Sequence, residues 1–267
     1  MIIIQFVHQM LIFFSLFLLA QQTLQGEIEI QRVNTQDLKI NDCLLSWKNP
    51  LQIRLKHLFQ NPHIFRSPQH LKQAGFDLLG KTRRGFMVAS HPVMGNYLIK
   101  KFQDYVPWTQ QMDNYLRRIN GARRLREFIK VNHLKHIVVP QKWLYQLPEQ
   151  FTDPTTDKKS YVLVVEKIDI CSGGADPEGE IAKRYYQIDF DILRELCIVL
   201  YYFRGLDSGL QNMPFTHQNK IAFIDTEHWG NQRKGFLSHA MHYLSPDRQE
   251  YALAVFEELR AQDHIEN

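Results

Sequence analysis

The sequence predicts an α+β fold, with short strands through the middle of the chain and helices towards its end. Three observations carry that expectation. Short apolar runs bounded by turn residues recur between residues 76 and 165, and a segment dense in helix formers, residues 110–131, interrupts them. Beyond the loop Cys171-Ser-Gly-Gly-Ala-Asp-Pro-Glu-Gly179, apolar positions recur at helical rather than strand spacing.

At the amino end, no acid or base interrupts residues 1–26, and residues 10–20 are apolar apart from one serine. This segment resembles the h-region of a secretory signal, with Leu18-Leu-Ala20 or Leu24-Gln-Gly26 offering a small residue at the cut. Gln5, His8 and Gln9 make it a poor membrane span, so an exported protein without a stable membrane anchor is expected. Residues 27–74 read as an extension of short helices. Cys43-Leu-Leu-Ser-Trp47 and residues 51–59 are apolar at helical spacing, and Pro50, Pro62 and Pro68 act as breaks.

Three strands are expected next, at Phe76-Asp-Leu-Leu79, Phe86-Met-Val-Ala89 and Tyr97-Leu-Ile99. The turns Gly80-Lys-Thr-Arg-Arg-Gly85 and His91-Pro-Val-Met-Gly-Asn96 separate them. Residues 110–131 are one helix, or two broken near Asn120-Gly121. Its basic group, Arg117, Arg118, Arg123, Arg124, Arg126 and Lys130, is either a solvated face or a surface for phosphates. His136-Ile-Val-Val139 and Tyr161-Val-Leu-Val-Val165 complete a sheet of five strands, divided by a polar loop at residues 151–160. A helix over residues 185–204 carries the stripe Phe190, Leu193, Leu196, Cys197, Leu200 and Tyr201, and a last helix covers residues 245–262 with Pro246 in its first turn.

Composition narrows the function classes. With 44% hydrophobic residues the 267-residue chain can bury a sizeable core, and a net charge of +4 is too small to make nucleic acid the main partner. Cys43, Cys171 and Cys197 contain no C-x-x-C, so neither a zinc site nor a disulfide framework is indicated. Gly205-Leu-Asp-Ser208-Gly209 lacks the residue between Ser and Gly that a G-x-S-x-G elbow needs, and no H-E-x-x-H occurs.

The chemistry concentrates in Gly205-Leu-Asp-Ser-Gly-Leu-Gln-Asn212 and in Ile221-Ala-Phe-Ile224, which ends on Asp225. An acid, an amide five residues on and a second acid after a short strand can hold a metal-bound polyphosphate: Mg²⁺ takes oxygen ligands, and a carboxylate can accept a hydroxyl proton. Asp207, Asn212 and Asp225 match the D-x-x-x-x-N and the later metal-binding aspartate of the protein-kinase signature, and Leu98-Ile-Lys100 resembles its V-A-I-K element. The chain therefore resembles a compact, atypical member of the protein-kinase-like fold over residues 75–227.

That resemblance implies a two-lobed α+β protein. Residues 75–170 would form an N-lobe with a five-stranded antiparallel sheet, and residues 171–267 a reduced helical C-lobe. It implies ATP with Mg²⁺ or Mn²⁺, Lys100 on the phosphates, Glu127 pairing with Lys100, and Gly80 and Gly85 in the phosphate-covering turn. Asn212 and Asp225 would hold the metal and Asp207 would serve the acceptor hydroxyl, on a small molecule or on a host or luminal protein. Departures accompany the likeness: Arg204-Gly-Leu stands before Asp207 where H-R would stand, Thr226-Glu227 follows Asp225 in place of F-G, and the first turn lacks G-x-G-x-x-G. Two functions remain, an exported phosphotransferase acting from the ATP γ-phosphate and a pseudokinase-type interaction protein that does not turn over.

Overall fold

Strand β6 (Tyr161–Glu166) has five buried residues in succession, because it is central in its sheet and covered on both faces. The computed structural model describes residues 30–32, 37–79, 86–102, 106–151, 159–171, 177–227 and 240–265. The chain divides into two units, residues 1–32 and residues 33–267. Residues 30–32 have no regular structure, the expected signal segment lies outside the described residues, and everything below concerns the second unit.

The sheet contains β1 (Asp77–Leu78), β2 (Phe86–Ser90), β3 (Tyr97–Phe102), β5 (Lys142–Gln146) and β6, antiparallel throughout in the order β1-β2-β3-β6-β5. Register fixes the faces. Leu98 pairs with Val165 and Val165 with Lys142, while Lys100 pairs with Leu163 and Leu163 with Leu144. Directly opposed residues share a face, so Lys100 and Lys142 project from the same side of the sheet, one strand apart across β6.

Helix α3 (Trp108–Val131) covers that side, packing Met112, Tyr115 and Ile119 on Leu144, Leu163 and Val165. The other side carries Met87, Ala89, Ile99, Val162 and Val164. It is covered by the segment before the sheet, through Leu51 and Leu55 of α1 (Leu51–Leu58), Phe59, Phe65 and Leu71 of α2 (Pro68–Gln73). Ser67 caps α2 by accepting from His70 N, and Pro68 occupies its first turn, where a missing N–H costs nothing. The extension is thus the second cover of the sheet, and without it an apolar face would be open to water.

The fourth expected strand is placed differently. Ile137–Val138 (β4) leaves the five-stranded sheet and pairs in parallel with Ile221–Ala222 (β7), while Lys142–Gln146 supplies the missing strand. Pro140 separates β4 from β5, and Leu45 N donates to Leu144 O on the outer edge of β5. The helix over residues 110–131 is continuous: Asn120 and Gly121 are buried in its middle, and the Asn120 side chain accepts from Leu38 N. The expected helix over residues 185–204 is two, α4 (Pro177–Tyr186) and α5 (Phe190–Tyr202). Buried Ile188 sits in the break and its carbonyl accepts from Arg248 Nε, so α4 also takes the end of the stretch expected as a loop. Helix α6 (Pro246–Ile265) packs on α5 through the Arg194–Glu258 ion pair and a Tyr201 hydroxyl donating to Asp263. Six α-helices are found among the described residues, none long and apolar enough to cross a membrane.

Candidate functional site

The strand that delivers Asp225 is held from both sides. Ile221 N and Phe223 N donate to His136 O and Val138 O on one edge, while Ala222 N and Ile224 N donate to Pro214 O and Asn212 O on the other. This alternation is the ordinary strand pattern, and it sets Asn212 beside the residue preceding Asp225. Asp207 is joined to the same loop: its Oδ1 accepts from Gly209 N at 3.0 Å. A Cβ on Gly209 would meet Asp207 Oδ1 at 3.2 Å and Asn212 Nδ2 at 3.7 Å, so the carboxylate and the amide flank one glycine. Asp207, Asn212 and Asp225, eighteen residues apart end to end, therefore belong to one loop-and-strand assembly.

Asp225 faces the α3 side of the sheet. Both of its carboxylate oxygens accept from Arg118 Nη1 at 2.9 Å, and Arg118 Nη2 pairs with Glu227. Arg118 is held in turn by Asn114 Oδ1, which accepts from Nε at 2.8 Å, and by the Phe86 ring, 4.7 Å from its guanidinium. The Arg118 side chain is only 7% exposed, so this is a buried ion triad rather than a surface pair.

Lys142 braces the segment from β5. Its Nζ donates to Thr226 Oγ1 at 2.9 Å and to Ile224 O at 3.3 Å, one residue on either side of Asp225. Thr226 is wholly buried and its hydroxyl donates to Arg118 O at 2.8 Å. The main chain around Asp225 is thereby tied to both the sheet and the helix. Lys100 is the exception: among the described residues its Nζ makes no hydrogen bond or ion pair, although Asp225 and Glu227 act on it electrostatically.

Burial pushes the Lys100 ammonium down to about 8, with Arg118 adding to the drop and Asp225 and Glu227 opposing it. Lys142 is lowered well below the ordinary lysine range, first by burial and then by Lys100. Burial alone would raise the Asp225 carboxyl, but Arg118, Lys100 and Lys142 outweigh it and hold the group below its usual value. The sign for Lys100 follows. Its folded pKa of about 8 lies below the unfolded value of 10.5, so between them the unfolded chain binds more protons and stability rises with pH. Subtracting Lys100→Met from wild type in denaturant titrations isolates this contribution. Wild type is expected to gain on the variant as pH rises from about 7 to about 10, and a pH-independent difference would remove the depressed lysine.

Glu127, expected as the partner of Lys100, falls elsewhere. Glu127 lies nine positions beyond Arg118 on α3, two and a half turns at 3.6 residues each, and so on the opposite side of the helix. It lines a separate cleft, and the carboxylates acting on Lys100 are those of Asp225 and Glu227. Gly80 and Gly85 lie outside the described residues. The basic group on α3 divides: Arg117 pairs with Asp113 in solvent, Arg124 with Asp37, Arg126 donates to Val139 O, and Arg118 alone is buried against Asp225.

Arg118, Lys142, Thr226 and Glu227 were missing from the sequence expectation as site members. A signal existed for the first two. Arg118 stands three residues after Tyr115 and seven before Leu125, within the buried arc of α3, and Lys142 alternates with buried Leu144 on an inward-facing strand. A cation at an inward position needs a buried counter-charge.

Among the described residues no cluster of three or more His, Cys, Asp or Glu stands in metal-binding proximity. The Asp225 carboxylate, and the side-chain amide of Asn212 on the loop bonded to its strand, are oxygen donors of the kind a hard divalent cation takes, provided Arg118 leaves the carboxylate. No protein-family model matches the chain, and no curated protein matches it significantly in sequence.

Proposed function

We propose that this chain is a two-lobed, kinase-like phosphotransferase that binds a nucleoside triphosphate at Lys100 and passes its γ-phosphate to a hydroxyl acceptor. One observation carries the reading: an unpaired, partly buried lysine on β3 stands in the field of an aspartate whose strand is hydrogen-bonded to the loop bearing Asp207 and Asn212. These residues come from distant parts of the sequence and form no ordinary structural pair. A polyphosphate would supply the direct hydrogen-bonded partner that the Lys100 Nζ does not have among the described residues.

In this reading Lys100 orients the phosphates, and Asp207, exposed at the mouth of the loop, accepts the proton of the acceptor hydroxyl. Asn212 and Asp225 would hold Mg²⁺ or Mn²⁺, which when bound neutralises charge on the transferring phosphoryl group. Arg118 has to release Asp225 for the metal to enter. Until then its guanidinium stands where the metal charge would be needed.

That same contact favours a second reading, a pseudokinase-type interaction protein in which Arg118 keeps Asp225 permanently occupied. Titration of ATP with Mg²⁺ or Mn²⁺ into wild type and Lys100→Met separates the two. The phosphotransferase reading expects saturable binding that the substitution weakens about 10- to 100-fold, the worth of one charge-assisted hydrogen bond. Equal affinity in both proteins would contradict the role of Lys100, and no binding at all would support the interaction protein.

A further inference from the structure

The layer that covers the side of the sheet away from α3 carries charge of one sign. Residues 43–75 contain Lys48, Arg54, Lys56, Arg66 and Lys72 and no aspartate or glutamate, so these five exceed the net charge of +4 of the whole chain. All five are exposed, and among the described residues none pairs with a carboxylate. Acids at the margins leave them unanswered: Asp42 accepts from Lys39 N, while Asp77 and Glu149 are exposed and bridge to none of the five.

The same layer puts apolar side chains into water. Leu51 and Leu55 of α1 are buried on the sheet, and Ile53 stands about 160° round the helix from both, with Lys56 and His57 one turn on along that outer face. Ile53 is 67% exposed. Trp47, in the turn that leads into α1, is 80% exposed, with the Lys48 Nζ 5.2 Å from its ring. Val93, itself exposed, adjoins the helix through its carbonyl, which accepts from Arg54 Nη1. Tryptophan and aliphatic side chains among unpaired lysine and arginine suit a lipid headgroup layer, with the apolar groups at the acyl boundary and the cations on lipid phosphates and carboxylates. We propose that this layer is a peripheral docking surface for a membrane rich in anionic lipid. A nucleic acid would engage the cations and leave Ile53 and Val93 in water. The chain lies on the bilayer, no described helix being long and apolar enough to cross one. Lys100 projects from the opposite side of the sheet, so docking leaves it uncovered and is independent of nucleotide.

Vesicles of phosphatidylcholine alone, and of phosphatidylcholine with phosphatidylserine, test this by flotation with the folded full chain. Binding is expected to favour the serine-containing vesicles and to weaken as salt is added. Lys48→Gln combined with Lys56→Gln should weaken it about 30-fold, about fivefold for each charge removed from the surface. Ile53→Ser should weaken it about tenfold. Tryptophan emission should move to the blue on the anionic vesicles, and Trp47→Phe should remove most of that shift. All four side chains are exposed, so the variants are expected to melt with wild type. Equal binding to neutral and anionic vesicles, an affinity that these substitutions leave unchanged, or capture of a duplex oligonucleotide in place of the vesicles would overturn the proposal.

Discussion

Replacing Arg118 with alanine is expected to destabilise the fold by about 3–5 kcal/mol, the usual consequence of removing one partner from a buried ion pair. The substitution leaves Asp225 and Glu227 on neighbouring ground without the guanidinium that bridges them. It also removes the cation held over the Phe86 ring and the Asn114 contact that fixes its direction. Lys100 and Lys142 soften the loss, since both act on the two carboxylates. The triple replacement Arg118→Met, Asp225→Asn, Glu227→Gln should recover most of it, because what costs is the uncompensated charge and not the missing contact. Urea titrations of the two variants measure this. A loss below about 1 kcal/mol for Arg118→Ala would mean that the triad behaves as a solvated surface pair.

Asp207→Asn carries the largest expected effect on turnover. An asparagine oxygen can still accept from Gly209 N, so the loop keeps its shape while the group that takes the acceptor proton is lost. Phosphate transfer is expected to fall about 10²- to 10⁴-fold with ATP affinity nearly unchanged. Steady-state rates beside equilibrium nucleotide binding separate the two quantities. Unchanged turnover would remove Asp207 from the chemistry, and a parallel loss of binding would recast it as a positioning residue of the loop.

Much of the sheet was legible because its inner strands are written in β-branched and aromatic residues between turns. Phe86-Met-Val-Ala89, Tyr97-Leu-Ile99 and Tyr161-Val-Leu-Val-Val165 all lie within strands. β5 was not, because its inward positions alternate a buried lysine with Leu144, and a cation on the core side breaks the apolar run that marks a strand. The pairing of β4 with β7 is a contact between residues some eighty positions apart, and backbone donors and acceptors have no letter in the sequence. The break between α4 and α5 was hidden for a related reason: Ile188 is apolar and buried, so the stripe runs on through residues where the helix stops.

At the site, spacing alone singled out Asp207, Asn212 and Asp225, and the fold brings the loop and strand that carry them together. What spacing could not express was the answering charge. Arg118 was counted among six basic residues of one helix, and only the rotation of that helix distinguishes the one that faces Asp225 from those that face water. Glu127 is the only carboxylate between Tyr115 and Asn132, but half a turn of rotation puts it on the side of the helix away from Arg118.

The central claim is that Asp225 and its neighbours form a metal-dependent nucleotide site, and the melting temperature of wild type and Asp225→Ala tests it most directly. Each protein is heated alone, with ATP, and with ATP plus Mg²⁺ or Mn²⁺, and each is compared with its own ligand-free value. At a hundred times the dissociation constant a bound ligand adds about 2.7 kcal/mol, which for a chain of this size is a rise of roughly 5–10 °C. The account predicts that rise in wild type only when metal is present, and its absence in Asp225→Ala. An unchanged melting temperature in wild type, or an equal rise in the variant, would contradict it.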